Sequence, residues 1–98
     1  MVTVRYTRSA QDDLFTIWQF VAQDSLAAAD NILEVIEREA NLLAQQPYLG
    51  RERPELGGAV RSWTTSAPYI VFYTIVGSDI VVLRVLHHAR DVQQLKLT

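Results

Sequence analysis

Residues 9–46 constrain the fold most, because two apolar stripes at helical spacing follow each other across a very short break. In the first stripe, apolar residues recur at i, i+3, i+4 and i+7 between Leu14 and Val21, which predicts a helix from about residue 9 to 23. The second stripe predicts a helix from about residue 25 to 46, which Pro47 ends. Two helices joined so closely are expected to form an antiparallel hairpin.

Extended segments surround this hairpin. Four runs rich in β-branched and aromatic residues predict strands, at residues 2–7, 59–65, 69–76 and 79–88. Residues 47–58 are rich in proline, glycine and charge and are expected to form a loop. Ser9 and Ser25 are the expected helix caps, and Gly77–Ser78 is the expected hairpin turn. The order β-α-α-β-β-β predicts a single α+β domain over residues 1–98, with the helical hairpin packed on a small, mostly antiparallel sheet.

Charge is distributed unevenly along the chain. Residues 9–46 hold seven acidic residues and one basic residue, whereas the segments before and after them each carry a net charge of +2. The total of −2 lacks the basic excess of a nucleic-acid binder. The sequence also lacks cysteine, a membrane-length apolar run and metal-ligand spacing. We therefore expect a soluble, cytoplasmic protein with no cofactor, no bound metal and no contact with a membrane.

The octapeptide RVLHHARD at residues 84–91 concentrates groups that can carry chemistry. It contains Arg84, His87, His88, Arg90 and Asp91. Acid–base chemistry at a phosphate group needs side chains that move protons near neutral pH and cations that hold the phosphate. A histidine of the octapeptide could move the proton, while Arg84 and Arg61, both on predicted strands, could hold the phosphate.

Alternation along the last strand gives a competing structural interpretation of this octapeptide. It would place Arg84 on the same face as Val82, among apolar neighbours. If the strand continues through both histidines, they lie on opposite faces, so that at most one of them joins a given site. A lone charge in such surroundings is costly, so we expect Arg84 to pair with Asp91 or Glu55. Whether Arg84 is mainly structural or mainly functional stays open on this reasoning.

Two further groups invite a binding interpretation. In the loop, Arg51 and Arg53 could contact a partner, although solvated side chains are the favoured interpretation. On the helices, apolar residues exceed what one face can bury: Phe15, Phe20, Leu26, Val35 and Leu42. They either cover the rim of the core or form a surface for a protein partner that folds on contact, with equal support for both.

The chain resembles a known family over nearly its whole length. The residues that carry this resemblance are A-Q-D-D-L-x-x-I-W-x-F in the first helix, P-Y-L-G-R-x-R-P-E-L in the loop, V-R-S-W and Y-I-V-F-Y in the sheet, and R-V-L-H-H-A-R-D at the end. Together they are similar to the ParE toxins of bacterial toxin–antitoxin modules, within the RelE/ParE superfamily. The resemblance implies a toxin that inhibits DNA gyrase by binding and not by its own chemistry. It also implies a hetero-oligomer with a cognate antitoxin, and no direct binding of DNA by the toxin alone.

With this resemblance, the charge segregation suggests two surfaces. The target-binding residues are expected to be Arg61, Arg84, His87, His88, Arg90 and Asp91. The antitoxin-binding residues are expected to be Phe15, Phe20, Leu26, Val35 and Leu42. One alternative is a ribosome-dependent mRNA endonuclease like the RelE branch, which the net charge and the single lysine disfavour. The other is an inactive homologue that only binds antitoxin.

Overall fold

A computed structural model describes residues 3–88, in which two helices pack on one face of a mixed sheet. The elements in chain order are β1 (Val4–Tyr6), α1 (Arg8–Ala22), α2 (Leu26–Gln45), β2 (Arg51–Glu52), a 3-10 turn (Pro54–Leu56), β3 (Arg61–Thr64), β4 (Tyr69–Val76) and β5 (Asp79–His87). The five strands of this part lie in the order β1-β5-β4-β3-β2. Only the β1–β5 pair among them is parallel. The predicted α+β architecture is confirmed.

The helix ends differ from expectation at one cap. Ser25 caps α2 as predicted, accepting a hydrogen bond from the Ala28 amide at 3.1 Å. For α1 the prediction of Ser9 was wrong, because Thr7 is the cap and accepts from the Ala10 amide at 3.1 Å. The Thr7 hydroxyl also donates to the Leu83 carbonyl at 2.9 Å. The chain therefore turns from β1 into α1 within one residue, and the cap ties that turn to β5.

The core lies between the helices and the sheet. Its fully buried side chains come from both layers and include Ile36, Leu43, Val71, Tyr73, Ile80, Val82 and Val85. A smaller cluster on the other face of the sheet contains Val60, Phe72 and Leu86. Two indole N–H groups bind α2. Trp18 of α1 donates to Asp30, and Trp63 of β3 donates to Glu39, both at 2.9 Å.

An irregularity in β5 overturns the alternation predicted for its second half. Arg84 is registered opposite Phe72 and Val82 opposite Tyr73, so Leu83 has no partner on β4. An extra residue of this kind is a β-bulge, which reverses the faces of the residues that follow it. Val85, not Arg84, therefore continues the helix-facing side of Val82.

Candidate functional site

Arg84 is held from α1 by Asp13, a partner that was not predicted. Its Nε and Nη2 donate to the Asp13 carboxylate at 2.7 and 3.0 Å. The same carboxylate accepts the Val85 amide at 2.9 Å. Glu55, one of the two predicted partners, instead pairs with Arg53 at 2.7 Å, and Asp91, the other, lies outside the described residues.

The Asp13 carboxylate binds the edge of β5 just beyond the point where β1 stops pairing with it. The β1–β5 pairing ends at Tyr6 and Val82, so within residues 3–88 no strand pairs with β5 on that side beyond the bulge. The Asp13 side chain satisfies an edge N–H there and fixes Arg84 with two hydrogen bonds, a bidentate geometry that planar guanidinium favours. Arg84 thus helps to position the end of β5, and its predicted role in target binding stays a prediction.

The two histidines lie together, contrary to the prediction of opposite faces. Strand β5 ends at His87, and His88 already belongs to a turn whose amide donates to the Pro68 carbonyl at 3.2 Å. The ring centroids of His87 and His88 are 4.9 Å apart, and the His87 ring meets Tyr69 edge to face at 5.3 Å. The alternation did not apply because the strand does not continue through His88. Arg90 lies outside the described residues, as Asp91 does.

Arg61 belongs to a different part of the molecule. On β4, its register partner is Tyr73, whereas that of His87 is Tyr69. Four residues along a strand and two strand spacings across separate Arg61 and His87 by about 16 Å between Cα atoms. Among the described residues, the structure therefore does not bring Arg61 and His87 into one compact site.

The loop after α2 is ordered by a buried phenol. The Tyr73 hydroxyl donates to the Pro47 carbonyl at 2.7 Å and accepts the Gly50 amide at 2.9 Å. Burial raises the pKa of the Tyr73 phenol, although the hydrogen bond from Gly50 and the nearby Arg61 act in the other direction. A raised pKa keeps the phenol protonated and able to donate. The Tyr73 side chain thus attaches the predicted loop to the core.

Arginines complete this attachment. Arg61 donates to the Gly50 carbonyl at 2.8 Å, and its guanidinium carbon lies 4.9 Å from the centroid of the Tyr48 ring. Arg53 pairs with Glu55, donates to Ser62 Oγ at 3.2 Å and lies over the Phe72 ring at 5.5 Å. The prediction of a solvated side chain was wrong for Arg53, which is 16% exposed, whereas Arg51 is exposed as expected.

The predicted antitoxin-binding residues are mostly on the surface. Phe15, Phe20, Leu26 and Leu42 are 61%, 52%, 63% and 37% exposed, and Val35 is half-buried. Four of the five are therefore accessible to a partner, and their role in antitoxin binding stays a prediction. The loop adds two exposed apolar residues that were not predicted, Tyr48 and Leu49.

Other kinds of site find little support in the described part. Residues 3–88 contain no group of three or more histidines, cysteines, aspartates or glutamates that could hold a metal ion. In the same range, neither helix has the length and apolar character needed to cross a membrane. The described surface also carries exposed apolar side chains and anchored arginines, and aromatic residues and arginine are enriched in protein-binding surfaces.

Comparison with known proteins gives a consistent result. The family model described as "ParE toxin of type II toxin-antitoxin system, parDE" matches residues 4–92. The chain is similar to Toxin ParE3 of Caulobacter vibrioides, with 32% identity over 81 residues that cover 82% of this chain and 80% of the relative. It is also similar to a solved chain described as "Chromosomal ParDE TA system from P. aeruginosa". That similarity has a TM-score of 0.74 at 26% identity and covers 89% of this chain and 96% of the other.

Proposed function

The chain belongs to the ParE toxin family of type II toxin–antitoxin systems, and on that premise we propose that it arrests growth by binding DNA gyrase in the cytoplasm. A cognate antitoxin would neutralise it in a hetero-oligomeric complex. The observation that carries this proposal is the family match, which includes both helices and all five strands of the described sheet. Gyrase inhibition is the role that the resemblance to ParE toxins implies.

We propose that the toxin works by binding and not by its own catalysis. Cleavage of RNA would need cations and proton-transfer groups gathered around one phosphate. Arg84 is instead engaged by Asp13, and Arg61 is engaged by the Gly50 carbonyl at another place in the sheet. The separation of about 16 Å between Arg61 and His87 also disfavours a shared phosphate site.

The antitoxin is proposed to cover the exposed apolar side chains of the helical hairpin. These side chains lie among acidic residues, of which Asp12, Asp24, Asp30, Glu34 and Glu37 are exposed. An antitoxin segment with basic residues and apolar anchors would match both features, and it could fold as it binds. Phe15, Leu26 and Leu42 are the proposed anchor contacts, with Phe20 and Val35 beside them.

The target is proposed to contact the end of β5 and the turn after it. His87 and His88 present their rings there, and the Asp13–Arg84 pair fixes the strand that carries them. Arg90 and Asp91 are also proposed to contact the target, because they closely follow His88 in the sequence. Arg61 is proposed to form a second contact, on the β2 side of the sheet.

Expression in cells tests this proposal. Induction of the toxin alone should stop DNA synthesis and trigger a DNA-damage response, while messenger RNA stays intact. Co-expression of the antitoxin encoded beside it should restore growth. Rapid loss of messenger RNA with translation arrest would instead support an endonuclease, and growth without arrest would support an inactive homologue. A His88→Ala/Arg90→Ala variant should be less toxic yet bind antitoxin as the wild type does.

A further inference from the structure

A cleft opens at the β2 edge of the sheet, between the loop after α2 and the start of β3. Its volume is about 670 Å³, and its lining includes Tyr48, Arg51, Glu52, Arg61 and Ile75. We call it the Tyr48 cleft. Because the Tyr73 phenol and Arg61 hold this loop by hydrogen bonds, the wall that carries Tyr48 is attached to the core.

Two arginines give the Tyr48 cleft a positive character that is only partly neutralised. Arg51 is exposed and forms no ion pair with any residue of the described range 3–88. Arg61 is 18% exposed and lies 3.6 Å from Glu52, whose side chain is 79% exposed. A carboxylate that is this exposed contributes little to its ion pair with Arg61, because solvent screens the charge and holding the side chain in place costs entropy. An incoming carboxylate could therefore replace Glu52 on Arg61.

Tyr48 supplies the apolar part of the cleft. Tyr48 is 72% exposed although its ring lies against the Arg61 guanidinium. An aromatic ring that is already positioned loses little conformational freedom when a partner packs on it. Tyrosine and arginine are also the residue types that most often dominate protein–protein binding energies.

We propose that the Tyr48 cleft binds an acidic segment of the toxin's protein target. Carboxylates of that segment pair with Arg51 and Arg61, and a neighbouring side chain packs on the Tyr48 ring. The inference rests on the proposed function in one respect, namely that the target is a protein. It adds a second contact surface to the one proposed at the end of β5.

The composition of the cleft favours a protein over a nucleic acid. Glu52 lines the cleft, and Arg53, which also lines it, is paired with Glu55. A nucleic-acid site, in contrast, usually shows a basic patch. The cations are arginines, whose fork matches a carboxylate. The proposed occupant of the cleft is therefore a protein segment, and the experiment also measures whether a nucleic acid binds there.

Direct binding can be measured with a labelled poly-glutamate peptide, using fluorescence anisotropy and a poly-glutamine peptide as the neutral control. Arg51→Glu should weaken poly-glutamate binding by at least about tenfold. Glu52→Gln should strengthen it, because the competing carboxylate is removed. Arg8→Glu makes the same change of charge at the exposed start of α1, beside the opposite edge of the sheet, and should have little effect. Raising the ionic strength from about 0.1 M to about 1 M should also weaken binding.

Function is then measured with the same variants. Arg51→Glu should reduce growth arrest and gyrase inhibition, while Glu52→Gln and Arg8→Glu should not, and antitoxin affinity should be unchanged in all three. The inference is overturned if Arg51→Glu binds poly-glutamate normally, if it loses antitoxin in parallel, or if single-stranded DNA binds the cleft as tightly as the peptide. If the wild type leaves gyrase unaffected, the proposed function fails, but the peptide measurement still decides whether the cleft binds acidic segments.

Discussion

The ion pair between Asp13 and Arg84 gives the sharpest stability prediction. The Asp13 carboxylate accepts three hydrogen bonds, from Arg84 Nε, Arg84 Nη2 and the Val85 amide, at 2.7 to 3.0 Å. The Arg84 and Asp13 side chains are 24% and 14% exposed, so solvent screens the pair only in part. Loss of the carboxylate should therefore cost more than the loss of a surface ion pair.

Asp13→Ala should lower the free energy of unfolding by about 3 kcal/mol, because it deprives the Arg84 guanidinium of this carboxylate and the Val85 N–H of its acceptor. For a domain of this size, that corresponds to a fall of roughly 15 °C in Tm. Asp13→Asn is the matched control. It should cost only about 1 to 2 kcal/mol, because the amide oxygen can still accept from Val85.

A double-mutant cycle isolates the pair. Arg84→Met should cost about 2 kcal/mol, and the double variant should cost less than the sum of Asp13→Ala and Arg84→Met by about 1 to 2 kcal/mol. Urea unfolding followed by circular dichroism measures all four proteins. A coupling energy near zero, or a loss below about 0.5 kcal/mol for Asp13→Ala, would refute the argument that this pair anchors the end of β5.

Three other perturbations test the loop, the helix–sheet contact and the helical surface. Gly50→Ala should destabilise the fold by about 2 kcal/mol in urea unfolding, because its Cβ would lie 2.7 Å from Tyr73 Cε1; unchanged stability would contradict the close approach. For Glu39, burial alone would raise the pKa, but hydrogen bonds from Ser66 and Trp63 lower it below its ordinary value. The ionised Glu39 side chain thus stabilises the fold above about pH 4.3, and this stabilisation is lost as the pH falls through the lower folded pKa. In Glu39→Gln, the urea midpoint should therefore fall less steeply at acid pH than in the wild type. Phe15→Asp should weaken antitoxin binding by at least about tenfold in calorimetry without changing Tm, since the ring is 61% exposed; equal affinity would remove Phe15 from the proposed surface.

Much of the fold could be predicted because its cues are local. Helical spacing located both helices, and Ser25 and Pro47 marked the beginning and end of α2 to within a residue or two. The strand predicted at residues 69–76 agrees with β4, and the hairpin turn after it lies at Gly77, where φ is 62°. These cues depend on residues that are close to one another in the sequence, so they can be read without knowing the fold.

The parts that could not be predicted depend on contacts distant in the chain. Asp13 meets Arg84 across 71 positions, and nothing around either residue distinguishes Asp13 from its neighbour Asp12 as the partner. The bulge at Leu83 is a feature of the pairing between β4 and β5, so alternation within β5 alone could not reveal it. The attachment of Gly50 to the Tyr73 phenol is also distant, and it turns a loop of ordinary composition into a wall of the Tyr48 cleft.

Supercoiling by purified DNA gyrase tests the central claim most directly. The toxin should inhibit the reaction in proportion to its concentration, and an equimolar amount of its antitoxin should restore it. The protein should leave messenger RNA uncut in a parallel ribosome assay. Unchanged supercoiling at concentrations that match toxic expression, together with cleaved messenger RNA, would contradict the account.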